Sequence, residues 1–213
     1  MIEAGARDVD GGAPASQLWL DTLQRIATRA AHEVKNSLNG VAVNLEVVRS
    51  RTAKAGQTTD AVARFADNAA EQFERLSAQA DALLALARAP RVPCDVALLV
   101  RSMHSLLGGI LLPGAEREAV TLDGVPSSAT VGTPGTTTRL VIGEAVLAAM
   151  EHGVPVQLGV EEEEGGVVVV VRSACDEGEI PPLAPAIEAI AAGDGVAVER
   201  QERAVALRFP ATR

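Results

Sequence analysis

Aromatic residues are nearly missing from this chain: of 213 residues, three are Phe, one is Trp and none is Tyr. A core with so few rings has to be assembled from Ala, Val and Leu, which suits close helix packing and a Val-rich sheet. Cysteine is scarce too. Cys94 and Cys175 are too few for a disulfide framework. Positive charge is outweighed, with a formal net charge of −9, so nonspecific nucleic-acid binding is not expected. No long apolar run survives either: the longest, from Val96 to Leu112, is interrupted by Arg101, His104 and two glycines and is not a bilayer span. No secretory signal precedes the first helical pattern. Together these absences predict a soluble, cytoplasmic chain with no nucleic-acid and no membrane partner. At 47% hydrophobic residues it still has enough apolar content to fill a core, in one or two domains.

Residues 1–15, rich in Gly, Ala and Asp, read as a disordered leader. Ser16 then stands as an N-cap before a long helix from about Gln17 to Ala53, with Lys54–Thr59 as a turn. A second helix runs from about Thr59 to Arg88 and is closed by Pro90 and Pro93. In helix one, Leu23, Ala27, Ala30, Val34, Leu38, Val41, Leu45 and Val48 repeat at helical spacing. In helix two, Val62, Phe65, Ala69, Phe73, Leu76, Ala80, Leu83 and Ala87 do the same. Gly40, inside helix one, either costs helix stability or permits close approach of another helix. The two helices form an antiparallel hairpin, 16–92, whose apolar seam is best buried in a four-helix bundle made by two chains, a homodimer. A hairpin packed only on its own C-terminal part is the alternative.

Beyond Pro93 the pattern changes to mixed helix and strand, residues 93–213. A helix is expected over Asp95–Gly108, a strand near Ala119–Leu122, a loop over Gly124–Gly135 and a helix over Thr136–Glu151. Strands Val154–Val160 and Val167–Arg172 follow, separated by an acid run, Glu161–Glu164, read as a solvated hairpin tip. A short helix Ala184–Ala192 and strands Gly195–Arg200 and Ala204–Phe209 complete the chain. The fold class is α+β, with helices on one side of a mostly antiparallel sheet.

The stretch Ala31-His32-Glu33-Val34-Lys35-Asn36-Ser37-Leu38-Asn39-Gly40 carries the chemistry. His32 lies outside the apolar stripe, on a polar one made of Arg25, Thr28, Arg29, His32, Lys35, Asn36 and Asn39. That stripe holds three cations and no acid, so it should attract anions. Glu33 is about 100° around the helix from His32, within reach of one side of the imidazole. A solvent-facing imidazole in such a setting is suited to nucleophilic attack on phosphorus.

His-Glu-Val-Lys-Asn-Ser-Leu-Asn resembles the phosphoacceptor box of two-component histidine kinases, H-E-hydrophobic-K/R-N-P-L. The departure is Ser37, where the family commonly has proline, which leaves the helix straighter. The resemblance implies His32 as phosphoacceptor and Glu33 as the residue that orients its ring. It also implies Asn36 as the residue that positions water or phosphate. Arg29 and Lys35 are either counter-charges for the phosphoryl group or simply solvated. Around Asn39, Val43 and Glu46, with helix two, the resemblance implies a docking surface for response regulator receiver domains.

The C-terminal half resembles the ATP-binding domain that follows such hairpins. Asp95-Val96-Ala97-Leu98-Leu99 resembles its opening helix, Arg139 to Gly153 its N-box helix, Asp176–Pro182 its G1 box, and Gly195 to Pro210 its closing hairpin. Nucleotide chemistry there needs an amide to ligate the metal, an Asp to read adenine, and glycines around the phosphates. At the metal-binding position stands Ala145, with Glu144, read as a solvated carboxylate, beside it. In one register the adenine-reading Asp becomes Cys175 and the glycines become Glu177 and Glu179. Only about 12 residues, Pro182 to Gly195, occupy the place of the long lid. This reduced ATPase-like α/β sandwich is therefore expected to bind no nucleotide, no cofactor and no metal.

A phosphoacceptor without an ATP site is similar in character to dimeric histidine phosphotransferases. The expected function is a phosphorelay step in which His32 moves a phosphoryl group between receiver aspartates, with Mg²⁺ supplied by the receiver. A sensor histidine kinase with autokinase or receiver-phosphatase activity, and a non-catalytic scaffold that binds a response regulator, stay open as alternatives.

Overall fold

The computed structural model describes residues 14–52, 59–88, 93–110, 118–175 and 179–211. Residues 1–13 of the expected leader, the turn up to residue 58, Pro90 and the G1-like residues Asp176–Gly178 lie outside the described residues. The chain is α+β: a pair of long helices leads into a layer of sheet and helices.

Helix α1 spans Ala15–Thr52 and α2 spans Thr59–Ala87. Ser16 is not the cap. The Pro14 carbonyl accepts from the Gln17 N–H at 2.8 Å, so the helix is already under way at Ala15 and Ser16 sits in its first turn. The face of the hairpin that is buried within one chain is also rotated from the stripe read in the sequence. In α1 the buried residues are Trp19, Thr22, Ile26, Ala30 and Ser37; in α2 they are Ala69, Gln79, Ala82 and Leu86. Leu38, Leu45 and Phe73, all assigned to the seam, are 54%, 53% and 65% exposed. Within one chain α1 packs on α4 and α3 as well as on α2, and the face turned to those neighbours is the one buried. A Cβ on Gly40 would stand 2.5–2.8 Å from the Gln72 amide, so this glycine admits the facing side chain. Gln72 Oε1 accepts from Asn44 Nδ2 at 3.2 Å beside it.

Strand β1 (Cys94–Asp95) precedes helix α3 (Val96–Leu107). Asp95 caps α3, accepting from the Leu98 N–H at 3.1 Å. It also accepts from the Ala129 N–H and the Ser128 hydroxyl, which tie in the segment expected to be loop. That segment contains a short strand, β3 (Thr130–Val131), paired antiparallel with β1. Two-residue strands carry no periodic signal, so tertiary pairing creates what the pattern could not show.

The main sheet has five strands in the order β2 (Val120–Asp123), β4 (Val156–Glu163), β5 (Gly166–Ser173), β7 (Ala204–Pro210) and β6 (Ala197–Gln201). Only β2 and β4 are parallel; between β3 and β4 runs α4 (Gly135–Glu151), and α5 (Pro185–Gly193) leads into β6. Val156, Leu158 and Val160 of β4, Val167, Val169 and Val171 of β5, and Val205, Leu207 and Phe209 of β7 all point into one core with α3 and α4. Their alternation is the expected consequence of the strand period. The acid run is strand more than tip: Glu161, Glu162 and Glu163 pair with Val168, Val167 and Gly166, and the turn is confined to Glu164 and Gly165.

Among the ties that join the long helices to this layer, two stand at the ends of the hairpin. At one, the Arg139 guanidinium of α4 donates to the carbonyls of Leu86 (3.2 Å), Arg88 (2.5 Å) and Ala85 (3.4 Å), where α2 ends and its last carbonyls lack helical partners. The other brings Trp19 and Thr22 of α1 against Gly143 of α4, where an added Cβ would meet Thr22 Cγ2 at 3.0 Å and the indole at 3.4 Å.

Candidate functional site

The middle of α1 has three faces. One is buried against α2, α3 and α4; a second, with Leu20, Leu38 and Leu45, is apolar and exposed. The third carries His32. His32, Lys35, Asn36, Asn39, Val43 and Glu46 are all exposed, and Val43 is 63% so. At about 100° per residue, His32, Asn36, Asn39, Val43 and Glu46 fall within one arc of the helix, with Arg29 at its edge. Glu46 is bonded to Arg49 at 2.9 Å.

Glu33 is not part of this group. It is half-buried and faces the last turn of α3: a Cβ on Gly109 would lie 3.3 Å from Glu33 Oε1. Its carboxylate lines a cleft of about 310 Å³ between α1, α2 and α3, together with Ser37, Arg75, Gln79, His104 and Glu118. Among the described residues buried Gln79 Oε1 has no hydrogen-bond partner. The structure thus separates the two adjacent residues, sending the imidazole outward and the carboxylate inward.

The polar stripe is also less cationic than its sequence. Arg25 Nη1 lies 2.8 Å from Glu144 Oε1, Arg25 Nη2 lies 2.7 Å from Glu151 Oε1, and Arg29 Nη2 approaches the same Glu151 oxygen at 3.6 Å. Thr22 donates its hydroxyl to Glu144 at 2.7 Å. Burial opposes charge at Glu151, but the hydrogen bond and charge of Arg25, with Arg29 behind it, outweigh this and hold the carboxyl below its ordinary range. For Arg25, burial is likewise outweighed by its bonds to the two carboxylates, and its pKa is raised. Glu144 is therefore no solvated remnant; its side chain is 16% exposed and clamps α1. These partners were missed because they lie 119 and 126 residues away in sequence. The available signal was the spacing: two acids two turns apart on α4 match two arginines one turn apart on α1.

At the positions compared with a nucleotide site, Ala145 is 1% exposed and packs in the core, as do Ile180, Leu183 and Ile187. Cys175 is half-buried, in contact with the Ser173 hydroxyl, and Glu179 is exposed. Among the described residues no group of three His, Cys, Asp or Glu side chains is placed to hold a metal ion, and no helix is long and apolar enough to cross a membrane.

No family model matches the chain, and no curated protein matches it. Among solved structures it is similar to a bacterial phosphotransferase, with 14% identity over 88% of this chain and 95% of that one and a TM-score of 0.44. It is similar to the ATP-binding domain of PrrB from Mycobacterium tuberculosis, with 20% identity over 57% of this chain and 98% of that one and a TM-score of 0.44. The Acinetobacter baumannii histidine kinase AdeS follows at 11% identity, over 85% and 98% of the two chains, with a TM-score of 0.35. The chain itself is a helical hairpin leading into a layer of sheet and helices.

Proposed function

We propose that this protein is a histidine-containing phosphotransferase that carries a phosphoryl group between receiver-domain aspartates through His32, without binding ATP. The observation that carries the reading is the exposed imidazole of His32, set among Lys35, Asn36 and Asn39 on a polar face of α1. A neutral ring nitrogen attacks the phosphorus of an aspartyl phosphate; the N–P bond forms as the bond to the carboxylate oxygen breaks, and the carboxylate departs. The second transfer reverses these steps on another aspartate. Mg²⁺ enters with the receiver, which holds it beside its own acidic residues. Asn36, one turn from His32, donates to a phosphoryl oxygen in this reading. Glu33 faces the cleft instead, so in this state it does not orient the ring. Arg29, Lys35, Asn39, Val43 and Glu46 form the docking rim for the receiver.

The aliphatic side chain at Ala145 and the engagement of Glu144 with Thr22 and Arg25 favour transfer over ATP-dependent phosphorylation, since neither is free to ligate a metal-bound triphosphate. Homodimerisation through the exposed apolar faces of α1 and α2 (Leu20, Leu38, Leu45, Phe73 and Leu84) completes the four-helix bundle. A cytoplasmic location fits receiver partners. The test is incubation of the full chain with a phosphorylated receiver. Acid-labile, base-stable label is expected on the wild type and absent from His32→Ala. Label from ATP instead would establish a kinase, and loss of receiver phosphate without label here would establish a phosphatase. A receiver that transfers nothing would leave a scaffold.

A further inference from the structure

The clasp between α1 and α4 has a tight member and a loose one. Arg25 is held twice, by Glu144 at 2.8 Å and by Glu151 at 2.7 Å. Among the described residues Arg29 is paired with Glu151 alone, at 3.6 Å, and shares that oxygen with Arg25. Arg29 also stands one turn before His32, a spacing that puts Cβ atoms about 5–6 Å apart on one helix flank. A long guanidinium side chain there reaches either anion.

We propose that Arg29 is exchanged between Glu151 and a phosphoryl group on His32, so that phosphorylation of α1 loosens its clasp on α4. The inference rests on reading His32 as a phosphoacceptor. A phosphoryl group offers about −1.5 to −2 charges and three acceptor oxygens, against the single charge of a carboxylate already paired with Arg25. The exchange gives up the longest of the three bridges. It leaves Arg25 on both Glu144 and Glu151 and Thr22 on Glu144, so α1 stays on α4 while the last turn of α4, around Glu151, loses one of its two arginines. The coupling is reciprocal: a chain lacking the Glu151 carboxylate has Arg29 available from the start and accepts phosphoryl more readily.

Phosphoramidate tests this on the full chain without any receiver. The imidazole nitrogen forms a bond to phosphorus as the P–N bond of the reagent breaks, and ammonia leaves with the bonding pair. Glu151→Gln is expected to raise the initial rate of His32 labelling roughly threefold to tenfold, and Arg29→Gln to lower it. The double variant should match Arg29→Gln alone, because the effect of Glu151 passes through Arg29. Amide hydrogen exchange in the last turn of α4 should quicken on phosphorylation of the wild type and stay constant in Arg29→Gln. A Glu151→Gln effect undiminished in the Arg29→Gln background would overturn the proposal. So would an α4 turn indifferent to phosphorylation, or a His32 that takes no label. Because the donor is a small molecule, failure of transfer from receivers alone would count against the proposed function and leave this result standing.

Discussion

Replacing Arg139 by Met removes the donors that close the end of α2 while keeping a similar apolar stem in place. The part-buried bond to the Leu86 carbonyl, made by a charged donor, is worth about 1.5–3 kcal/mol. The contact to Arg88 is exposed and that to Ala85 is long at 3.4 Å, so each adds about 0.5 kcal/mol, including the favourable position of a cation at a helix C-terminus. The expected loss is about 2.5–4 kcal/mol, or roughly 5–16 °C in Tm for a chain of this length. Arg139→Lys should recover less than half of it, since an ammonium lacks the planar fork that spans neighbouring carbonyls. Urea denaturation gives the free energy, and hydrogen exchange along α2 gives the location, with protection lost first in its final turn. A loss below about 0.5 kcal/mol in Arg139→Met, with exchange at that turn unchanged, would refute the claim that this guanidinium ties the hairpin to the sheet layer.

Three further outcomes are expected. Burial works to raise the Asp95 carboxyl, but hydrogen bonds from the Leu98 and Ala129 N–H groups and the Ser128 hydroxyl more than offset it and hold the pKa below its ordinary 3.8. Its stabilisation is therefore full above that value and is lost as pH falls through the lower folded one, so the stability gap between wild type and Asp95→Asn should shrink below about pH 4 in acid titrations. Burial pushes the Cys94 thiol up, and iodoacetamide at about pH 8 should modify half-buried Cys175 at least roughly tenfold faster than Cys94, the difference vanishing in denaturant by mass spectrometry. Leu38→Glu combined with Phe73→Glu should yield a monomer by analytical ultracentrifugation with helix content intact; a variant that sediments as the wild type does would remove these faces from the dimer interface.

The sequence shows most of this architecture because its elements follow local rules. Asp95 precedes an apolar helical run and caps it, and the valines of β4 and β5 alternate or cluster as strands do. Bounds for α2, α3 and α4 fall within a residue or two of their reading. What sequence could not show depends on neighbours far along the chain. Thr22, Ser37 and Gln79 are polar yet buried, and Leu38 and Phe73 are apolar yet exposed, because α4 and α3 share the packing of the hairpin. The candidate site divides the same way: the exposure of His32 follows from helix period alone, whereas the turn of Glu33 toward Gly109 and the capture of Arg25 and Arg29 by α4 arise only in the folded chain.

The seat of Trp19 has one more consequence. It is the sole indole in a chain without tyrosine, it is 6% exposed, and its ring lies against Gly143 of α4. Indole emission thus originates at a single spot, the contact of the first helix with the sheet-bearing half. The protein carries its own optical gauge of whether those two parts are seated together, and a red shift would announce their parting before any strand has melted.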